Sequence, residues 1–148
     1  MAEFSNDEVH DGVAATKWCL KHNLVQQGFT LLQETLFTFI LQQSTDENTD
    51  DICKRNLVGM AVKVEQEQKK FDDWSEPAKK HRKIIEKICG WLHSRKELLD
   101  CMRNLSKDRN DLNHAGMNDS PMAADKFRDK LNNYIEIVAS HACSTLIV

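Results

Sequence analysis

Apolar residues recur at helical spacing along most of this chain. Ser5 to Glu8 has the S-x-x-E form of a capping box. It predicts a helix over residues 5–23, with Val9, Val13, Ala14 and Trp18 on one side and Asn23 as a left-handed terminal residue. A second helix is expected over 24–43, burying Val25, Phe29, Leu32, Leu36 and Ile40. Residues 44–49 read as a polar connector. A third helix is expected over 50–70, with Ile52, Val58, Ala61 and Val64 near one stripe and Gly59 weakening its interior. Residues 71–75 break the pattern. Ser75 as N-cap and Pro77 in the first turn then open one long helix toward Leu105, with Ile84, Ile88, Trp91 or Leu92, Leu98 and Met102 inward. Gly90 can bend or divide it. Gly116 ends a helical turn. Ser120-Pro121 starts the last helix, where Phe127, Leu131, Tyr134 or Ile135, and Val138 repeat, before the apolar tail 144–148. With no alternating β pattern and no solenoid period, the expected fold is all-α: an up-and-down bundle of five or six helices, a single domain over residues 1–148.

Composition agrees with that class: 148 residues, 41% hydrophobic and 29% charged, with five Gly and two Pro. No apolar run approaches the ~18 residues of a membrane span, and residues 1–11 are polar and acidic without a signal-peptide core. The expectation is a cytoplasmic protein with no membrane partner. The five cysteines (Cys19, Cys53, Cys89, Cys101 and Cys143) are scattered, with no C-x-x-C pair, and read as reduced core thiols.

Net charge is −3, but it is unevenly spread. Residues 1–76 hold 7 basic and 14 acidic side chains, residues 77–109 hold 10 and 4, and residues 110–148 hold 3 and 5. The positive charge is packed into the segment that leads into Arg109-Asn110-Asp111-Leu112-Asn113-His114-Ala115-Gly116. Such a block can attract a phosphate backbone, although by itself it also reads as a solvated helix face.

The Arg109 stretch carries chemistry suited to a phosphodiester. A guanidinium is a permanent cation with a planar fork of donors. An imidazole takes or gives a proton near neutrality. Asn110 and Asn113 add neutral donors and acceptors. In a regular helix, residues five apart are offset by about 140° and ~7.5 Å. Arg109 then aligns with Asn113, and Asn110 with His114. Two geometries bring Arg109 and His114 together. Arg109 can sit at a helix mouth with Asp108 as N-cap, or two copies of the stretch can face each other across a dimer. The chemistry permitted is RNA cleavage by attack of the ribose 2′-hydroxyl on the adjacent phosphorus. Arg109 stabilises the developing charge and His114 transfers protons, giving a cyclic phosphate and a 5′-hydroxyl. No catalytic metal or other cofactor is expected, since neither a carboxylate pair nor a His/Cys cluster is present in the sequence. By spacing alone, Arg-x-x-x-x-His also reads as a surface arginine and a helix-end histidine.

The run Arg109 to Met117 resembles the signature of HEPN ribonucleases, particularly the HEPN half of the CARF–HEPN ribonucleases that accompany type III CRISPR systems. Trp18-Cys19-Leu20, Asn23-Leu24-Val25-Gln26-Gln27-Gly28 and Leu31-Leu32-Gln33-Glu34 resemble the opening helices of that group. The resemblance implies a helical bundle, a homodimer with a composite active site, and metal-independent cleavage of single-stranded RNA in CRISPR antiviral defence. It implies that Arg109 and His114 are the catalytic pair and that Asn110 is the polar residue following the arginine. Asn113, Lys107, Lys79, Lys80, Arg82 and Lys83 are the candidate RNA contacts. Regulated members carry an N-terminal sensor domain (CARF-like) with a Rossmann-like fold. No βαβ pattern stands in this sequence, so the expectation is either the excised effector half of such a protein or a standalone homologue, with any sensor domain or regulatory partner not in these residues. Activation by a cyclic oligoadenylate messenger is not carried over.

Two other readings stay open. One is a non-catalytic HEPN module for dimerisation or nucleotide contact, which Arg109 and His114 buried in intrachain hydrogen bonds would favour. The other is a ribonuclease toxin held by an antitoxin. Such toxins silenced through tyrosine modification carry a tyrosine close to the histidine, whereas Tyr134, the sole tyrosine, lies on the last helix. His10, His22, His81, His93 and His141 read as surface or helix-end residues, Trp18 and Trp91 as core, Trp74 as partly exposed, and Glu34 and Gln27 as solvated.

Overall fold

The structure, a computed structural model, describes residues 4–47, 51–115 and 121–144. Among these residues there are seven α-helices and no strand: α1 (Phe4–Lys21), α2 (Val25–Ser44), α3 (Ile52–Glu67), α4 (Glu76–Lys80), α5 (Arg82–His93), α6 (Lys96–Ala115) and α7 (Pro121–Ser144). A 3-10 turn, Phe71–Asp73, precedes α4. The all-α class expected from periodicity is what the chain adopts.

The chain divides into two compact units: Met1–Leu36 with Cys101–Val148, and Phe37–Asp100. In the first, α1 packs against α7. Phe29 of α2 meets Phe127 and Tyr134 of α7 edge-on, both at 6.3 Å between ring centroids, a favoured aromatic arrangement. Two glycines permit close helix approach here. A Cβ on Gly12 of α1 would stand 2.1 Å from the Thr35 hydroxyl of α2, and one on Gly28 of α2 would stand 2.7 Å from a Leu131 methyl of α7. In the second unit, α3 packs against α5 through the buried residues Leu57, Val58, Ala61, Ile85, Ile88 and Leu92. Phe39 meets Trp91 edge-on at 5.8 Å.

Helix ends follow identifiable chemistry. Asn23 has φ 60°, as expected of a left-handed residue closing α1. Ser75 caps α4 by accepting from the Ala78 N–H, with Pro77 in the first turn. Asp51 caps α3, accepting from the N–H groups of Cys53 and Lys54 at 2.9 and 3.3 Å. Gln68, at φ 50°, ends α3 three residues before the predicted boundary region closes. Pro121 begins α7; Gly116, Ser120 and the tail 145–148 lie outside the described residues.

Several expectations are corrected. Helix α1 is already formed at Phe4, so Ser5 is not its N-cap. Trp18 is 55% exposed and Ala14 is exposed; Thr16 and Cys19 take the inward positions, because the stripe steps 9, 13, 16, 19. Ile52 is 74% exposed because it is the first residue of α3, ahead of the first buried turn. The long basic helix is three helices. It breaks at His81 (ψ 38°) and again at Ser94 (ψ 5°), while Gly90 sits unbroken inside α5. Among the described residues Cys19, Cys53, Cys89 and Cys101 form no disulfide; Cys19 and Cys101 are buried, whereas Cys53 is exposed rather than a core thiol. No helix among the described residues is long and apolar enough to cross a membrane.

Candidate functional site

Arg109 and the residues after it form the last turns of α6, which runs unbroken to Ala115. The helix-mouth geometry is therefore excluded: Asp108 is no N-cap but an interior helical residue, 5% exposed. It continues the buried stripe Leu98, Met102, Leu105 at helical spacing. Its carboxylate accepts from the Tyr134 hydroxyl and from Lys130 Nζ at 3.2 Å, both on α7. A buried carboxylate needs such partners, since an uncompensated charge away from water is costly. The tyrosine is affected in turn. Burial first, then the hydrogen bond to Asp108 and its negative charge, with Cys101 a further contributor, hold the Tyr134 phenol well above its usual pKa.

The next residue, about 100° round the helix, is Arg109, which donates from Nη1 to Gln33 Oε1 on α2. The same glutamine donates from Nε2 to Ser106 Oγ at 2.8 Å. Gln26, two turns earlier on α2, donates to Asn113 Oδ1 at 2.7 Å. Residues 26 and 33 are seven apart, and residues 109 and 113 four apart, so each pair shares a face of its helix. Two amide side chains of α2 thus grip two site side chains of α6. Asn110 and His114, the other aligned pair, are exposed, as is Lys107. Arg109 is half-buried.

Of the predicted site residues, Arg109 and Asn113 are brought onto one face and held; Asn110 and His114 share the neighbouring, solvent-facing side. Lys79, Lys80, Arg82 and Lys83 lie on α4 and α5 in the other unit. Lys79 is within 3.8 Å of Glu76, and Arg82 Nε donates to Glu86 at 2.7 Å. The Arg82 guanidinium also lies over the Phe71 ring, 4.3 Å from its centroid. Lys80 and Lys83 are exposed. A groove of about 560 Å³ between α1 and α7 is lined by Lys17, Lys21, Arg128, Asp129, Asn132 and Glu136, and contains none of the predicted residues.

Gln33, Asp108 and Tyr134 were missed as partners of the site. A signal existed for two of them. Gln33 stands four after Phe29 and three before Leu36, a polar side chain on a core stripe, and Asp108 stands three after Leu105. Gln26, exposed on the first turn of α2, carries no such signal.

No family model, curated protein or solved structure matches this chain.

Proposed function

We propose that this chain is a metal-independent endoribonuclease of the HEPN type, acting on single-stranded RNA as a homodimer. The observation that carries the reading is the unbroken end of α6. It holds Arg109 and Asn113 on one side and leaves Asn110 and His114 exposed on the next. Side chains five apart on one helix diverge by about 140°, so a single copy does not converge Arg109 and His114 on one phosphate. Two copies facing across a dimer would. In that cleft the 2′-oxygen attacks phosphorus as its proton leaves to a base, the bond to the 5′-oxygen breaks, and that oxygen receives a proton. His114 serves one of the proton transfers. Arg109 meets the negative charge building on the phosphoryl oxygens, and Asn110, beside His114, orients an oxygen. The bundle topology, a role in CRISPR antiviral defence and a cytoplasmic location belong to this reading. So do RNA contacts from Lys107, Asn113 and the Lys79–Lys83 run.

One observation favours a non-catalytic module instead: Arg109 already has an intrachain partner in Gln33. The toxin reading that depends on tyrosine modification draws no support, since the Tyr134 hydroxyl is engaged by buried Asp108.

The test is cleavage of a fluorescent single-stranded RNA in excess EDTA by the parent chain, His114→Ala and Arg109→Ala. Cyclic-phosphate ends from the parent and a loss of about 100-fold or more in either variant are expected. An inactive, folded parent dimer would transfer the assignment to the binding module.

A further inference from the structure

We propose that Gln33 is the positioning residue of this site: its amide, oriented by Ser106, holds the Arg109 guanidinium in one attitude while leaving its charge intact. The inference rests on the ribonuclease reading for its catalytic consequence, but not for its geometry.

Gln33 is 8% exposed, and a primary amide out of water needs both ends satisfied. Here both are. Ser106 Oγ accepts from Nε2 at 2.8 Å, which leaves Oε1 as the end facing Arg109, and Nη1 donates to it. Ser106 and Arg109 lie three apart on α6, and Gln33 of α2 bridges them with two hydrogen bonds. No buried side-chain nitrogen or oxygen among the described residues lacks a partner.

The residue type matters as much as the bond. An arginine has five N–H donors. One directed to Gln33 leaves the others for a phosphate. A carboxylate at position 33 would hold the guanidinium as firmly but cancel the charge that a phosphodiester needs. A neutral acceptor on a buried, doubly bonded amide restricts the long arginine side chain before substrate arrives. That lowers the ordering cost otherwise met in the transition state. Asn113 is held by Gln26 in the same manner at 2.7 Å, but both of those residues are exposed, so that contact is the weaker constraint.

The experiment compares the parent with Gln33→Met, Gln33→Glu and Ser106→Ala. It uses RNA cleavage kinetics, thermal melting and the slowly rotating guanidinium N–H signals of Arg109 in ¹⁵N NMR, assigned by Arg109→Lys. Gln33→Met keeps the volume and removes the acceptor. Its expected result is a folded protein whose Arg109 signal is lost, with kcat down about 10–100-fold and KM changed less than about threefold. Gln33→Glu is expected to keep the Arg109 signal yet raise KM several-fold, because the cation is then neutralised. Ser106→Ala, which frees the amide to turn over, is expected to broaden the signal with a smaller fall in kcat, and it serves if Gln33→Met does not fold. Unchanged kcat or an unchanged Arg109 signal in Gln33→Met overturns the proposal. If the parent cleaves no RNA, the nuclease reading falls while the Arg109 signal alone still decides whether Gln33 fixes the guanidinium.

Discussion

Arg109 and Arg82 are both guanidiniums on helices, yet the partner of Arg109 lies 76 residues away and that of Arg82 only four. Around Arg109 the polar contacts are long-range and mostly part-buried: Gln33 with Ser106, and Asp108 with Lys130 and Tyr134, with Gln26–Asn113 the exposed one. Around Arg82 they are short-range and exposed. Arg82 pairs with Glu86 one turn on, Lys79 with Glu76 one turn back, and Phe71 lies beneath Arg82 as a flat apolar support. The first arrangement fixes one cation in direction, which a reaction at a single phosphorus requires. The second leaves a group of cations exposed on a helical surface, an arrangement that suits contact with successive backbone phosphates. The charge block of residues 77–109 is thus two kinds of positive charge in two different units.

The largest expected effect lies at Asp108. Asp108→Ala leaves the Tyr134 hydroxyl and Lys130 without their acceptor, and loss of one partner of a buried pair is strongly destabilising. With Lys130 half-exposed, a loss of about 2–3 kcal/mol is expected in urea denaturation. The pH dependence follows from the direction of the Tyr134 shift. A phenol raised above its usual value stays neutral in the folded state, so its contribution is complete below about pH 10 and is lost as pH rises beyond that. Because Tyr134 is the sole tyrosine, absorbance near 295 nm reports it directly. Folded protein should show no phenolate at pH 10, and Asp108→Asn should lower the transition only in part, because burial, the larger cause, remains.

The glycines sharpen the contrast next. In the first unit Gly12 faces Thr35 across a contact too close for a methyl group, and Thr35 is a short, β-branched side chain with little room to turn. Gly12→Ala should cost about 1–3 kcal/mol. Gly59, inside α3 of the second unit, has nothing within 4 Å of a Cβ. Gly59→Ala should therefore gain about 1 kcal/mol from helix propensity alone. Paired thermal melts of the two variants check both signs.

What the sequence revealed divides along the same line. Helix existence, the Asn23 and Ser75 terminators and the pattern 29, 32, 36, 40 on α2 are local properties, so they were legible. The breaks at His81 and Ser94 were not, because no glycine or proline marks them, whereas Gly90, a helix-weakening residue, lies in mid-helix. Trp18 and Ile52 show the limit of hydrophobicity as a guide: apolar type predicts burial, but Trp18 points outward by its angular position and Ile52 stands at the helix start, ahead of the first buried turn. At the site, the Arg109-to-His114 spacing was visible, whereas its support was not. Gln33 and Asp108 depend on helices distant in sequence, and periodicity only marks them as polar intruders on core stripes.

The smallest expected effect tests the surface side of the comparison. Glu86→Gln removes the carboxylate partner of Arg82 while leaving Arg82 over Phe71. Both side chains of this pair are more than half exposed, at 57% and 54%, so Coulomb attraction acts through water and is screened by salt. A loss of about 0.3–0.5 kcal/mol is expected at low ionic strength, falling toward zero in 1 M salt. The same substitution removes one of the charges that act on Cys89. Burial first, then Glu65 and Glu86, push that thiol up to about 12, so it stays protonated at neutral pH. Alkylation at pH 8 should accordingly reach exposed Cys53 well before Cys89 in both parent and variant, because desolvation outweighs the Glu86 contribution. Rapid Cys89 labelling in Glu86→Gln would mean that this exposed carboxylate does more than solvate the helix, and the local, surface character assigned to the basic segment would fail there.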